Sequence, residues 1–206
     1  MFITFEGLDF CGKSTQVKLL KKYFEDKNKS VKLIREPGGV KISEKIRAIL
    51  LDIKNDEMVF ETELLLFSAS RAQLVRETIL PFLDKGNIVI SDRFHDSSIA
   101  YQGYGRGINP KFVIDLQNFA IGKAIPDITF FIDIPIEEVL KRKGNISESE
   151  LDRIEVSQNN FYEKVREGYK LLAANEERFL TLDGLMSIEE INEKIISKIE
   201  QMLKER

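Results

Sequence analysis

At 206 residues the chain can bury a full core and is most simply one domain, 1–206. Its formal net charge of -3 argues against a general nucleic-acid binder, which needs an excess of Lys and Arg to meet phosphates; a local cation cluster suffices for one or two nucleotides. The lone cysteine, Cys11, excludes an intrachain disulfide, and the most apolar later stretch, Ile128 to Ile136, contains Asp133 and Pro135 and is too short to span a membrane. The opening Met1-Phe-Ile-Thr-Phe-Glu has no basic leader before an apolar run, so no signal peptide and a cytoplasmic location are expected.

Short apolar runs alternate with helical patterns along the chain. Phe2–Glu6, Val31–Arg35, Asn87–Ser91, Ile128–Asp133 and Arg178–Leu182 read as strands, most of them nearly continuous apolar runs of the kind buried on both faces. Helices are expected at 13–28, 41–51, 60–84, 110–122, 148–175 and 187–204. The alternation predicts an α/β fold with three layers, a five-stranded parallel sheet flanked by helices on both faces. Ser147 with Glu150, and Ser187 with Glu190, have the spacing of capping boxes. Ile188, Ile191, Ile195, Ile199 and Met202 form one apolar stripe that reads as core or docking surface. Lys141 to Ser149, basic and irregular, reads as a flap.

Residues 7–14, Gly-Leu-Asp-Phe-Cys-Gly-Lys-Ser, match G-x-x-x-x-G-K-[ST], the phosphate-binding P-loop. Glycines let successive backbone N–H groups turn toward a β-phosphate, Lys13 reaches the β- and γ-phosphates, and the Ser14 hydroxyl can ligate Mg²⁺. The following helix adds the positive end of its dipole. A chance match is expected in under ~1% of chains this long, and this one follows an apolar strand and opens a helix, which disfavours a plain glycine turn before a solvated lysine. Gly7, Leu8, Asp9, Phe10, Cys11, Gly12, Lys13, Ser14 and Thr15 are therefore the ATP-binding candidates. Asp92 at the tip of the third strand is placed to hold Mg²⁺, with an N-cap or ion pair as the alternative.

No guanine-reading N-K-x-D segment is present, and the size suits a small-molecule kinase. Such an enzyme holds two anions together and needs extra cations, for which Arg35, Arg71, Arg93, Arg142 and Arg153 are candidates. Phe67 and Arg71 share a helix face and could stack on a base and read its carbonyl edge; a core Phe beside a surface Arg is the plainer reading. The sole histidine, His95, is expected to be structural or at the surface.

Taken together these motifs resemble the thymidylate kinase family from Phe2 to about Ala174. The resemblance rests on Phe5-Glu-Gly-Leu-Asp, Gly12-Lys-Ser-Thr15, Arg35-Glu-Pro-Gly-Gly39, Leu64-Leu-Leu-Phe67 with Arg71, Asp92-Arg-Phe94, Ser97-Ser-Ile-Ala-Tyr-Gln-Gly103 and Asp152-Arg-Ile-Glu155, in that order. It implies transfer of the γ-phosphoryl group of MgATP to dTMP in a homodimeric enzyme. Asp9 is then expected to bond the deoxyribose 3′-hydroxyl, Arg35 and Arg93 to grip the acceptor phosphate, and Phe67 and Arg71 to stack on and bond the thymine. Ser98 and Gln102 fall near the base, and Tyr101 under the sugar. Residues 141–153 correspond to a lid that brings Arg142 and Arg153 to the transferring phosphate, and Glu155 to the metal shell. The resemblance thus makes Lys13, Arg93, Arg142 and Arg153 the catalytic expectation and Ser14, Asp92 and Glu155 the metal expectation. Two positions depart from the family pattern: Phe10, where Gly or a basic residue is common, and Cys11, where Ala is. The lid is also poor in arginine, which leaves open the cation that meets the γ-phosphate. A kinase for another deoxynucleotide or a deoxynucleoside, and a non-catalytic ATP-binding P-loop module, are the competing readings.

Overall fold

The computed structural model describes residues 1–144, 147, 151–155 and 159–205. Five strands, β1 (Phe2–Glu6), β2 (Val31–Arg35), β3 (Ile88–Asp92), β4 (Ile128–Asp133) and β5 (Phe179–Asp183), form one sheet in the order β2-β3-β1-β4-β5. Every pairing is parallel, with Phe5 opposite Asp92 and Ile3 opposite Ile128. Central β1, β3 and β4 are buried almost throughout, as their apolar runs predict. The edge strands β2 and β5 are only partly buried, because each lacks a neighbour on one side. The third and fifth strands lie one residue later than their sequence patterns suggest.

Alternating side chains build a core on each face of the sheet. Ile3, Phe5 and Ile90 pack with Val17, Leu20 and Phe24 of α1 (Lys13–Asp26) and with Ile191, Ile195 and Ile199 of α9 (Ile188–Lys204). Phe2, Ile34 and Val89 pack on the other face with Leu74, Val75, Ile79 and Ile121. The predicted α9 stripe is thus core at its centre, while Ile188 at its start is half exposed. Its cap is the expected one: Ser187 accepts from Glu190 N and Glu190 accepts from Ser187 N.

The remaining helices are α2 (Lys41–Leu51), α3 (Phe60–Leu74), α4 (Leu80–Leu83), α5 (His95–Ser98), α6 (Pro110–Ile121), α7 (Ile136–Lys143) and α8 (Asn159–Asn175). Wide π-helical turns continue α3 over Val75–Ile79 and α5 over Ile99–Gly105. The first lies just before Pro81, which cannot donate the regular bond back to residue 77. Helical structure over 95–105 and 136–143 is additional to the sequence expectation. Residues 151–155 depart from it: they form a turn rather than the body of the helix expected from 148. Asp152 Oδ1 accepts from the N–H groups of Ile154 (2.8 Å) and Glu155 (2.9 Å), and Glu155 Oε2 accepts from Asp152 N (3.0 Å). Side chains satisfying local backbone groups in this way hold a turn in place of a regular helix. The expected Ser147–Glu150 cap and part of the expected lid lie outside the described residues.

His95 is buried and structural, as expected. Burial holds its imidazole down at about 4, against the pull of Asp96, so it is neutral near pH 7. Its neighbour Asp96 is gripped by both Nη atoms of Arg178 at 2.7 Å.

Two glycines bring α8 close to the second π-helical turn. A Cβ on Gly105 would lie 2.6 Å from the Phe161 ring, and one on Gly168 would lie 2.7 Å from the Tyr104 ring. This close approach carries Tyr101 and Tyr169 to the C-terminal edge of the sheet. Gly168→Ala is expected to destabilise the fold by about 1–3 kcal/mol through overpacking, read as a lower urea midpoint with an unchanged m-value.

Candidate active site

The site opens where β1 is flanked by β3 on one side and β4 on the other, beyond the carboxyl ends of the strands, the position at which an open parallel sheet presents a crevice. The loop after β1 turns at Gly7 with φ +140°, and a Cβ there would lie 2.4 Å from the Ile132 carbonyl oxygen. No larger residue fits, because the loop lies directly on β4. Gly12, at φ +99°, precedes the first turn of α1. Phe10 takes φ +64°, a left-handed conformation that costs a residue with a Cβ some strain and that glycine adopts freely. Cys11 is a small buried side chain whose sulfur packs under Gly7, the plain role for that position.

A cavity of about 580 Å³ extends from this loop. It is lined by Asp9, Phe10, Gly12, Lys13, Ser14, Thr15 and Asp92 of the loop and third-strand motifs. Arg35, Phe67, Arg71, Arg93, Ser98, Tyr101 and Gln102 line it too, as do Arg142 and Glu155. One space therefore unites residues drawn from every motif expected to bind donor, acceptor and metal. Gly7, Leu8 and Cys11 belong to the loop but do not line the cavity. Arg153 is the departure. Its Nε donates to Leu50 O at 2.8 Å and its Nη2 to Glu63 Oε2 at 2.6 Å, and it does not line the cavity. The fully buried Glu63 carboxylate draws Arg153 away from the phosphate end; it also binds Gln102 (2.9 Å) and Arg106 (3.2 Å).

Lys13 Nζ donates to Gly7 O (3.0 Å) and Leu8 O (2.7 Å). Arg93 Nη1 donates to the same Gly7 O at 2.9 Å. Arg93 follows β3 with φ +67°, a conformation a long side chain holds only when its surroundings impose it. Here they do: Nη2 ion-pairs with Asp9 Oδ1 and donates to the Tyr101 hydroxyl at 3.1 Å, while Nη1 also meets Ser97 and Tyr169. Burial would raise the Asp9 carboxyl, but Arg93, Lys13 and a 2.9 Å bond from the Tyr101 hydroxyl outweigh it and hold it below its ordinary range. Asp9 is thus a fixed negative charge between two cations.

Ser14 Oγ donates to Asp92 Oδ2 at 2.6 Å. Asp152 and Glu155 border the cavity, and burial raises both carboxyls. Among the described residues no three acidic, His or Cys side chains form a metal-binding group on their own. A hydroxyl beside a carboxylate, with oxygen donors only, suits Mg²⁺, which takes few protein ligands and completes its shell with water and phosphate.

At the other end, Arg71 is almost wholly buried, and Phe67 is the partly exposed member of the pair. This is the reverse of a core Phe beside a surface Arg. Arg71 donates to Glu36 (2.7 Å), Ser98 (2.8 Å), Gln117 (2.5 Å) and Phe94 O (3.0 Å). Its guanidinium is rigidly set by these partners and borders the cavity.

Arg47, Glu36, Pro37, Ser97 and Asp152 also line the cavity; the last four fall within the family motifs but had no role assigned from the sequence, and Arg47 falls in none of them. Arg47 Nη1 and Arg35 Nη1 both donate to Pro37 O, at 2.9 and 3.1 Å. Burial and the neighbouring Arg35 lower the Arg47 guanidinium, the mark of cations crowded at one rim. A signal for Arg47 exists: it falls on the face of α2 that carries Ser43 and Leu50, the inward one.

The family model described as thymidylate kinase matches residues 5–195. The thymidylate kinase of Kosmotoga olearia is 48% identical over 206 residues, covering 99% of this chain and 97% of that protein. The thymidylate kinase of Thermosipho africanus is 48% identical over 203 residues, covering 98% and 99%. The crystal structure of thymidylate kinase from Ehrlichia chaffeensis is 35% identical and superposes with a TM-score of 0.78, covering 97% of this chain and 98% of that one. With matches across almost its whole length, this chain belongs to the thymidylate kinase family.

Proposed function

We propose that the chain is an ATP:dTMP phosphotransferase that forms dTDP and ADP and so serves dTTP synthesis. The observation that carries this reading is the continuous cavity that joins Lys13 and Ser14 to Phe67 and Arg71. Gly7 to Thr15 hold the ATP phosphates. Arg93 and Arg35 grip the acceptor phosphate, with Arg47 adding charge at the same rim. Phe67 stacks on the base, and the preset edge of Arg71, beside Ser98 and Gln102, meets a base carbonyl. Asp9 and Tyr101 face the sugar.

The acceptor phosphate has a second pKa near ~6 and is largely ionised at neutral pH, so no strong general base is required. The barrier is alignment and charge repulsion. Lys13 and Arg93, anchored on one carbonyl, bring donor and acceptor phosphates together and offset their charge. Arg142 lines the cavity and donates to Phe10 O at 3.0 Å. It is the lid cation nearest the loop in this arrangement and takes the part expected of the pair, with Arg153 bracing the lid on Glu63. Ser14 and Asp92, with Glu155 through water, would hold Mg²⁺, which neutralises phosphate charge when bound. Residues 1–206 form one kinase domain in this proposal, with 141–153 as its lid. The unpaired Cys11 accords with a reducing cytoplasm, and among the described residues no helix is long and apolar enough to cross a membrane.

The functional unit we propose is a homodimer. Leu65 on α3 and Phe112 and Phe119 on α6 expose 55%, 55% and 76% of their surfaces, and the two helices pack on each other. Apolar side chains so exposed are the expected material of a partner interface.

Four measurements test this assignment. Across a panel of nucleoside monophosphates, ADP release should be fastest with dTMP; dUMP, which lacks one methyl worth about 1–3 kcal/mol, should be a poor substrate. Faster turnover of any other monophosphate overturns the assignment. In the same assay Phe67→Ala should raise KM for dTMP about tenfold and leave KM for ATP nearly unchanged. Lys13→Ala should lower kcat by about 10²-fold or more with the fold intact by circular dichroism. Phe119→Lys should shift the sedimentation coefficient from dimer to monomer; a wild-type coefficient would exclude this surface.

A further inference from the structure

Glu6, the last residue of β1, has no exposed surface and does not line the cavity. Its Oε1 accepts from Phe94 N at 2.8 Å. Its Oε2 accepts from two hydroxyls, Ser97 Oγ at 2.6 Å and Tyr169 OH at 2.7 Å. Those hydroxyls lie 2.9 Å apart, and Arg93 Nη1 points at both, 3.2 Å from Ser97 and 3.3 Å from Tyr169. A hydroxyl carries one proton and two acceptor lone pairs. When both protons are committed to Glu6, both oxygens are left with only lone pairs to offer Arg93.

We propose that Glu6 is a positioning residue for the acceptor phosphate: it fixes the proton directions of Ser97 and Tyr169 so that both accept from Arg93. It acts on Arg93 through these two groups and touches no substrate. The proposal rests on the assignment of Arg93 to the acceptor phosphate. The geometry also defines the failure. A protonated Glu6, or a glutamine, places a donor on one oxygen. One hydroxyl must then accept from it and turn its own proton toward the other hydroxyl or toward Arg93. Turned toward Arg93, that proton costs Arg93 an acceptor; turned toward the other hydroxyl, it leaves each oxygen a single lone pair for Arg93, and in both cases the negative charge that faces Arg93 across the hydroxyls is gone.

The charged groups facing Glu6 are Arg93 and Asp96 after β3, Tyr169 on α8 and Arg178 before β5. Burial pushes the Glu6 carboxyl up to about 7, with Asp96 adding to the rise and Arg93, Ser97 and Tyr169 opposing it. The proton arrangement therefore changes across neutral pH. Acceptor affinity is full above pH 7 and declines below it, in the direction set by a carboxyl that must be ionised to act.

The test is calorimetric affinity for dTMP and for ATP between pH 5.5 and 8.5, in wild type and in Glu6→Gln, Tyr169→Phe and Arg93→Met. Because dTMP itself titrates, the readout is the ratio of variant to wild-type Kd at each pH. For Glu6→Gln and dTMP the ratio should be about tenfold at pH 8.5 and fall toward one at pH 5.5, where wild type carries the same proton pattern as the amide. For ATP it should stay near one throughout. A ratio independent of pH, or an equal loss for ATP, overturns the proposal. Tyr169→Phe keeps the ring, which stacks on Phe131, and removes one of the two acceptors. It should weaken dTMP several-fold at pH 8.5 and spare ATP, so an unchanged dTMP affinity overturns the proposal even if Glu6→Gln does not fold. Arg93→Met separates the levels: undiminished dTMP affinity there sinks the acceptor assignment itself, whereas its loss beside a flat Glu6→Gln ratio sinks the role of Glu6 alone.

Discussion

One backbone oxygen ties the two halves of this site together. The Gly7 carbonyl accepts from Lys13 of the P-loop and from Arg93, which follows β3. Two cations so close repel each other, and the arrangement holds because the carbonyl dipole and the Asp9 carboxylate lie between them. The benefit is pre-organisation. Positive charge is already gathered where two phosphate groups must approach, and it need not be assembled during the reaction. Gly7 is indispensable for a steric reason: its loop lies against Ile132, and only a residue without a side chain brings that carbonyl to the shared position.

Around this point the protein commits a large buried polar investment. Arg71 with Glu36, Glu63 with Arg106 and Arg153, and Asp96 with Arg178 are ion pairs with little or no exposed surface on the acid. Taking such charges out of water costs several kcal/mol each, and the attraction within the pair does little more than offset that cost. Their value is geometric. Glu36 fixes the guanidinium of Arg71 and Glu63 the carboxamide of Gln102, and both Arg71 and Gln102 line the cavity. Glu63 shows this most fully, since one carboxylate on α3 holds Gln102 from the second π-helical turn and Arg153 from the 151–155 turn. An element on the acceptor side and the edge of the expected lid are thereby mechanically joined.

The same network explains which expectations changed. The family resemblance implies that Arg153, with Arg142, reaches the transferring phosphate from a lid. The competing attraction of a fully buried acid elsewhere in the chain is stronger, and Glu63, in a helix whose apolar residues keep to no single face, carries no local mark of burial. The Phe67–Arg71 pair shares a helix face as its spacing requires, yet its exposure is inverted, because four partners from distant segments pull the arginine inward.

Local chemistry was enough for the parallel α/β plan, since continuous apolar runs and helical periodicity each depend on neighbours a few residues away. It was also enough for the P-loop, whose glycines, lysine and serine lie within eight consecutive residues. Strand order, the two cores, the meeting of Lys13 with Arg93, and the parts played by Glu6, Arg47 and Glu63 came only from the tertiary structure. Hydrogen bonds between Glu6 and Tyr169 or between Glu63 and Arg153 join residues 163 and 90 positions apart. A buried carboxylate has no meaning until the fold decides which donors surround it.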